Sequence, residues 1–185
     1  MNNSVTSKEM ILENCRKLVS EEGLTALNMR KVAKSCYVAL GSLYYYFPSK
    51  NHLMIETIES VWEDIFRWDD TKAANYSFAD YIEHCYEQLL LGTKKYPNFF
   101  TVHSISFSTK GQNEARASMD RYLSQVKEKM RKSLENDKSI KKSAFSDDFK
   151  EDEFIDFVLS NIVFSLLKNY PDCKMLLEII KRVIY

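Results

Sequence analysis

Only four glycines and three prolines occur among the 185 residues of this chain. Glycine and proline make most turns and interrupt helices, so a chain with so few of them favours long helices over many short strands. Apolar residues form 45% of the chain, and they recur at three- to four-residue spacing, the period of an amphipathic helix. We therefore predict an all-α protein.

Composition excludes several other classes. Aromatic residues make up 13% of the chain, which is ample for a core, so we do not expect disorder. No stretch free of charged residues reaches the about 20 apolar residues that cross a bilayer, so we expect no membrane partner. The chain opens with Met1-Asn2-Asn3-Ser4 and shows no basic segment followed by an apolar one. We therefore expect no secretory leader and a cytoplasmic location.

The first fifty residues contain signals for three short helices. A first helix over about residues 7–22 ends at Gly23, a residue that commonly stops helices. Asn28 is the predicted N-cap of a second helix. A third helix contains Leu43 and cannot continue past Pro48.

The remaining residues predict a larger helical bundle. A long helix over about residues 50–67, with Ser49 as its N-cap, is apolar on two sides and would link a small N-terminal domain to a larger body. The predicted domains are residues 1–48 and 49–185. Further helices are predicted over about residues 78–95, 98–107, 113–135, 151–169 and 172–183.

Charge is unevenly distributed along the chain. The formal net charge is +0, yet residues 28–50 contain four basic residues and no acidic one. Two short helices joined by a tight turn, with basic residues at their exposed ends, form a helix-turn-helix. Small residues at the start of the second helix, here Gly41 and Ser42, allow it to enter the major groove of DNA, which is about 12 Å wide.

The same segment resembles the TetR family of bacterial transcription regulators. The resemblance covers Gly23, Val32-Ala33 and residues 38–53. Its most specific positions are Gly41, Leu43, Tyr44, Phe47, Lys50 and Leu53. The resemblance implies a three-helix DNA-binding domain followed by a larger helical domain that binds a ligand and dimerises.

The resemblance also implies DNA contacts. Arg30 matches a position that contacts a base or a phosphate, and Lys50 matches a phosphate contact. The start of the recognition helix, at Leu40, approaches base edges and the thymine methyl group. The full set of implied DNA-binding residues is Asn28, Arg30, Leu40, Gly41, Ser42, Tyr44, Tyr45, Tyr46 and Lys50.

Three tyrosines in this set have alternative readings. Tyr45 and Tyr46 match exposed positions whose side chains lie along the DNA backbone, but they could be ordinary surface tyrosines. Tyr44 matches a tyrosine whose ring packs while its hydroxyl reaches a phosphate, although spacing alone favours Tyr44 as a core residue.

Two residues depart from the family pattern. Tyr37 stands where the family has a turn glycine, and a tyrosine at positive φ costs about 1–2 kcal/mol. Ala39 stands where the family has a capping serine, and losing a cap costs about another 1 kcal/mol.

The helices over about residues 151–169 and 172–183 have almost no polar face. A helix that is apolar all round has to be covered all round, so we predict that a second copy of the chain covers them in a homodimer. The predicted interface residues are Phe157, Ile162, Phe164, Leu166, Leu176 and Ile180.

Aromatic and soft side chains in the body exceed what a minimal bundle needs, which predicts an apolar ligand cavity. Each of these residues could equally be plain core. The candidates are Trp62, Phe66, Tyr81, Cys85, Phe99, Phe100, His103, Phe107, Met119 and Tyr122.

Together with these patterns, the resemblance implies a ligand-responsive transcriptional repressor. It would bind a palindromic operator in double-stranded DNA as a dimer and would be released by a small apolar or aromatic effector. The alternative is a helical interaction protein that binds a protein partner in place of DNA. The four scattered cysteines are read as core residues, and we expect no metal or cofactor. Because catalytic motifs such as G-x-S-x-G and H-E-x-x-H are absent from the sequence, we predict no enzymatic activity.

Overall fold

The computed structural model of the chain describes residues 6–66, 76–97, 99 and 112–185, with the backbone alone for residues 112–119. The described residues form eight α-helices and no β-strand, which confirms the all-α prediction. None of these helices combines the length and the apolar character that crossing a membrane requires. The helices are α1 (Lys8–Glu22), α2 (Met29–Ser35), α3 (Leu40–Tyr46), α4 (Lys50–Ile65), α5 (Phe78–Lys95), α6 (Gln112–Asn136), α7 (Glu151–Leu167) and α8 (Lys174–Ile184).

The predicted helices match the observed ones to within a few residues, except that the helix predicted over residues 98–107 lies outside the described residues. Contacts group the chain into two compact units. The first unit comprises Met1–Ile65 and Thr93–Met119, and the second comprises Phe66–Gly92 and Asp120–Tyr185. This grouping places α4 with the N-terminal helices. The domain boundary predicted between residues 48 and 49 stays a prediction.

The helix ends of the first unit are set by the residues that the sequence indicated. The side chain of Asn28 accepts a hydrogen bond of 2.9 Å from the N–H of Lys31, and Ser49 Oγ accepts one of 3.1 Å from the N–H of His52. Gly23 ends α1 at φ 82°, a conformation that favours glycine. The capping predictions at these three positions are confirmed.

A polar cluster in the first unit connects α1 and the end of α4 to the end of α5. Asp64 accepts hydrogen bonds from Lys95 Nζ at 2.6 Å and from the Tyr96 hydroxyl at 2.7 Å. Burial alone would raise the pKa of Asp64, but these hydrogen bonds hold it below its usual value. Ser20 Oγ donates to the carbonyl oxygen of Lys95 at 2.6 Å.

In the second unit, one carboxylate connects three distant segments. Asp137 accepts a hydrogen bond of 2.7 Å from the N–H of Phe78, at the start of α5, and another from the hydroxyl of the terminal residue, Tyr185. Because acidic groups stabilise helix N-termini, this contact fixes where α5 begins. An ion pair connects α6 with α7: Arg131 contacts Asp152 at 2.5 Å.

The turn between α2 and α3 contains the strained tyrosine. Tyr37 lies at φ 55° and is 97% exposed. Its N–H donates to the carbonyl of Lys34 at 3.2 Å, and the N–H of Val38 donates to that of Ala33 at 3.0 Å. This pair of bonds is the Schellman motif, which ordinarily takes glycine at the positive-φ position. The positive φ predicted for Tyr37 is confirmed.

We expect Tyr37→Gly to raise the free energy of unfolding by about 1 kcal/mol relative to Tyr37→Ala, because alanine keeps the strain and glycine removes it. Urea denaturation followed by circular dichroism measures the difference. Using alanine as the reference separates backbone strain from the loss of the tyrosine ring. Equal stability of the two variants would show that the turn stores no strain.

Candidate nucleic-acid interface

Helix α3 has one buried edge and a wide exposed face. Leu43 and, just beyond the helix, Phe47 are both 0% exposed and attach α3 to the core of the first unit. The opposite face carries Gly41 and Tyr45, which lie four residues apart and therefore share one side of the helix. Tyr45 is 83% exposed, so the outermost side chain of α3 is an aromatic ring with a hydroxyl.

The three tyrosines at the end of α3 have different environments. Tyr44 is exposed, so the core role suggested by spacing alone is wrong. Tyr46 is half-buried, and its hydroxyl donates a hydrogen bond to the carbonyl oxygen of Thr6. The expectation that Tyr46 is an exposed residue free to lie along DNA is therefore wrong, because its polar end is already bound within the protein.

Tyr46 also contacts its neighbour. Its ring centroid lies 5.2 Å from that of Tyr45, with the ring planes at 85°, an edge-to-face arrangement that favours a fixed geometry. The tethered ring of Tyr46 thus restricts the orientation of the exposed ring of Tyr45.

Exposed cations lie on the helices before and after α3. Arg30, Lys34 and Lys50 are exposed, and none of them has an acidic partner in the part of the chain that the structure describes. Lys31, by contrast, is paired with Glu22. Unpaired cations beside an exposed helix form a patch of positive potential suited to phosphate groups.

Among the predicted contact residues, Asn28 has a role within the chain itself, whereas Gly41 has no such role among the described residues. The side-chain oxygen of Asn28 is occupied by its capping bond, so that oxygen is committed to α2. A Cβ built on Gly41 would meet no atom within 4 Å. Glycine in a helix costs about 0.5–1 kcal/mol relative to alanine, and no contact among the described residues requires it at this position.

A family model described as "Bacterial regulatory proteins, tetR family" matches residues 11–57, the range that contains α2, the turn and α3. Over this segment the chain is similar to the TetR family of bacterial regulatory proteins. The matched range holds α3 and the unpaired cations on the helices before and after it.

Curated relatives agree over the same segment. The HTH-type transcriptional repressor KstR of Rhodococcus jostii (strain RHA1) is 41% identical over 58 residues, which is 31% of this chain and 27% of that protein. KstR of Mycolicibacterium smegmatis is 40% identical over 58 residues, 31% of this chain and 28% of that protein. The chain thus matches less than a third of the length of these relatives.

Solved structures extend the likeness to the whole fold. The multidrug binding protein EbrR in complex with proflavin has a TM-score of 0.63 at 14% identity, over 95% of this chain and 98% of that chain. The reduced form of NemR of E. coli has a TM-score of 0.59 at 20% identity, over 96% and 97% of the two chains. At these identities the likeness concerns the fold alone.

The predicted pocket residues fall in several places. Trp62 and Phe99 contact each other in the first unit, with ring centroids 5.5 Å apart. Phe66 contacts Tyr122 in the second unit at 5.9 Å, and Tyr81 and Cys85 are buried there. Phe100, His103, Phe107 and the side chain of Met119 lie outside the described residues. The ligand pocket stays a prediction.

The predicted dimer residues divide into two groups. Ile162, Leu166, Leu176 and Ile180 are buried in the core of the protomer itself. Choosing them as interface residues was wrong, because a side chain already covered by its own chain offers little area to a partner. Phe157 and Phe164 are 42% and 50% exposed. Exposed apolar residues that the sequence reading missed are Val163, Leu167, Met175 and Ile179.

Three cysteines are core residues, as predicted: Cys15, Cys85 and Cys173 are buried. Burial raises the pKa of the Cys15 thiol to about 12 and that of Cys173 to about 11, so both stay protonated at neutral pH. Cys36 is half-buried, so the prediction that it is a core residue is only partly met.

We expect Gly41→Ala to raise the free energy of unfolding by about 0.5–1 kcal/mol, because the new methyl group meets open space and alanine favours the helix. Thermal and urea denaturation measure the gain. Gly23→Ala is the contrasting variant: at φ 82° we expect it to lower stability by about 1–2 kcal/mol. A loss of stability in Gly41→Ala would show that the glycine serves the fold.

Proposed function

We propose that this chain is a DNA-binding transcriptional repressor that binds a palindromic operator as a homodimer and is released by a small apolar or aromatic effector. Like other TetR-family regulators, it would act without catalysis, and it would act in the cytoplasm, on double-stranded DNA. The observation that carries the proposal is the exposed face of α3, flanked by three cations that have no acidic partner among the described residues.

The dimensions of α3 suit the major groove. A helix with its side chains is about 10–12 Å across, and the groove is about 12 Å wide. Because Gly41 has no side chain, the backbone of α3 can approach base edges closely. Tyr44, Arg30 and Lys50 are exposed, and phosphate contacts by their side chains would set the orientation of the helix.

A local basic patch is compatible with the zero net charge of the chain. Exposed charges act mainly within a Debye length, about 8 Å at physiological salt. The cations around α3 therefore attract phosphates nearby, while acidic residues elsewhere limit nonspecific association.

Dimerisation is proposed through α7 and α8. Phe157, Val163, Phe164 and Leu167 form an exposed apolar stripe on α7, and large exposed apolar patches mark interaction surfaces. A two-fold dimer would present two α3 helices to successive major grooves, about 34–36 Å apart, and its two-fold symmetry would call for a palindromic site.

The effector class is proposed from chemistry and fold. EbrR, which shares the fold, is described in complex with proflavin, a flat aromatic molecule. The aromatic residues predicted for the pocket would suit a ligand of this type. Ligand binding would need to disfavour the DNA-binding conformer by about 1–3 kcal/mol, the usual range of allosteric coupling.

We expect Arg30→Ala and Lys50→Ala each to weaken binding to a selected duplex and to lower the slope of log affinity against log salt. A two-fold dimer loses two phosphate contacts per substitution, so the slope should fall by about 2. Fluorescence anisotropy between 50 and 200 mM KCl measures both effects. Lys142→Ala, an exposed lysine of the second unit, is the matched control. DNA affinity independent of salt would favour the alternative of a protein-binding scaffold.

We expect Phe157→Glu to convert the dimer to a monomer, because a charge buried at an interface lacks compensation. The side chain is 42% exposed, so the charge can reach water in a folded monomer. Sedimentation velocity measures the mass, and circular dichroism checks the fold. Leu91→Glu, at another exposed apolar position of 56%, is the control and should leave assembly unchanged. A stable Phe157→Glu dimer would place the interface elsewhere.

A further inference from the structure

The outward face of α7 has a symmetric arrangement of residues. Phe157 and Phe164 lie on either side of Ser160, and all three are exposed. Glu153 lies four residues before Phe157, and Lys168, the C-cap residue of α7, lies four residues after Phe164. At about 100° per residue, these five positions fall within about 80° of the helix circumference. The face therefore consists of an acid, an aromatic ring, a small residue, a second ring and a base, in that order.

The charges at the two ends of this face are not neutralised within the described part of the chain. Asp152 and Asp156, the neighbouring acids of α7, are paired with cations of α6. Glu153 and Lys168 form no ion pair among the described residues. The Nζ atom of Lys168 lies 5.7 Å from the centre of the Phe164 ring, so the ammonium group lies beside the exposed aromatic residue.

An antiparallel contact with a second copy would bring these residues together in pairs. If a two-fold axis passes Ser160, a residue before it lies beside the partner residue that is equally far after it. Phe157 lies about 4.5 Å before Ser160 along the helix, and Phe164 about 6 Å after it. The corresponding distances for Glu153 and Lys168 are about 10.5 and 12 Å. The faces of two copies thus match to within about 1.5 Å, the rise of one residue.

The charges favour this orientation over the opposite one. Parallel α7 helices would place Glu153 beside its own counterpart and Lys168 beside its own, and like charges across an interface are unfavourable. Antiparallel helices would place a carboxylate beside an ammonium group at each end. At the crossing angle of about 20° that is common in helical bundles, the helix axes diverge by only about 4 Å at these ends, which long side chains can span.

Resting on the homodimer proposed above, we propose that Glu153 and Lys168 select the partner of this chain. Each would pair with the other residue of the second copy, which gives two identical ion pairs at the ends of an antiparallel α7 contact. The apolar stripe supplies the contact area, and the charges set the direction of the helices. A chain with a different charge arrangement on this face would be rejected by unpaired or like charges.

Charge reversal of one residue at a time is the first step of the test. Glu153→Lys would place two lysines together at both ends of the contact, and Lys168→Glu would place two glutamates together. We expect each variant to raise the dissociation constant of the dimer about tenfold or more, because two attractive pairs become repulsive. Sedimentation equilibrium of the full-length protein in about 50 mM KCl measures the constant.

Mixing the two variants is the decisive step. A heterodimer of Glu153→Lys with Lys168→Glu has an attractive pair at both ends, so heterodimers should form well above the about one half expected for random pairing. The combined variant Glu153→Lys/Lys168→Glu should dimerise as the natural sequence does. Native mass spectrometry, with an affinity tag on one variant, measures the heterodimer fraction.

Glu151→Lys is the matched control. Glu151 is exposed and lies in the same first turn of α7, so its reversal has the same cost at the helix N-terminus. It lies about 140° around the helix from the centre of the face and should leave the dimer unchanged. Circular dichroism checks that every variant is folded.

Salt provides an independent measurement. Because salt screens exposed charges, raising KCl should weaken the dimer of the natural sequence and strengthen the dimers of the two single variants. Opposite salt dependences of this kind are expected from charges at the contact and not from a change in helix stability.

The outcomes are distinguishable. Single variants that dimerise normally, mixtures that give only random pairing, or equal weakening by Glu151→Lys each overturn the selection by Glu153 and Lys168 and leave the proposed homodimer intact. A natural sequence that stays monomeric at every concentration overturns the proposed homodimer and the inference with it.

Discussion

The position of α3 depends on two buried side chains. A helix of seven residues is far shorter than the about 12–15 residues at which isolated helices become marginally stable, so α3 exists only because it is packed. Leu43 and Phe47 are fully buried and provide that packing. Lys8 Nζ lies 5.8 Å from the centre of the Phe47 ring, and the ring of His52 lies 6.4 Å away. The residues around α1 and α4 therefore enclose one edge of α3, which forces the Gly41–Tyr45 face into solvent.

Much of the N-terminal architecture is predictable from sequence because its signals are local. A cap at Asn28, a stop at Gly23 and a positive φ at Tyr37 each depend on one or two residues and their immediate neighbours. Tyr46 could not be assigned in this way, because its partner, Thr6, is forty residues distant. Local patterns carry no information about such a bond.

For the C-terminal helices, the sequence alone could not predict which side is buried. On α7 ten of the fourteen residues from 154 to 167 are apolar, so periodicity does not indicate which side of the helix faces the core. Packing decides, and it buries Ile162 while leaving Phe164 half exposed. The sequence therefore could not show which apolar residues of α7 the chain itself buries and which it leaves exposed. The structure shows that Phe157, Val163, Phe164 and Leu167 are exposed.

The residues that cost stability cluster around α3. Tyr37 occupies a position that favours glycine, Ala39 begins α3 without a side-chain cap, and Gly41 occupies a position where alanine would fit. Each costs about 0.5–2 kcal/mol, and no contact within the described protomer compensates for them. Local choices that disfavour the fold are expected where a sequence is selected for a surface rather than for stability. Here the three residues share one exposed segment, and Gly41 leaves room that only an external partner can use.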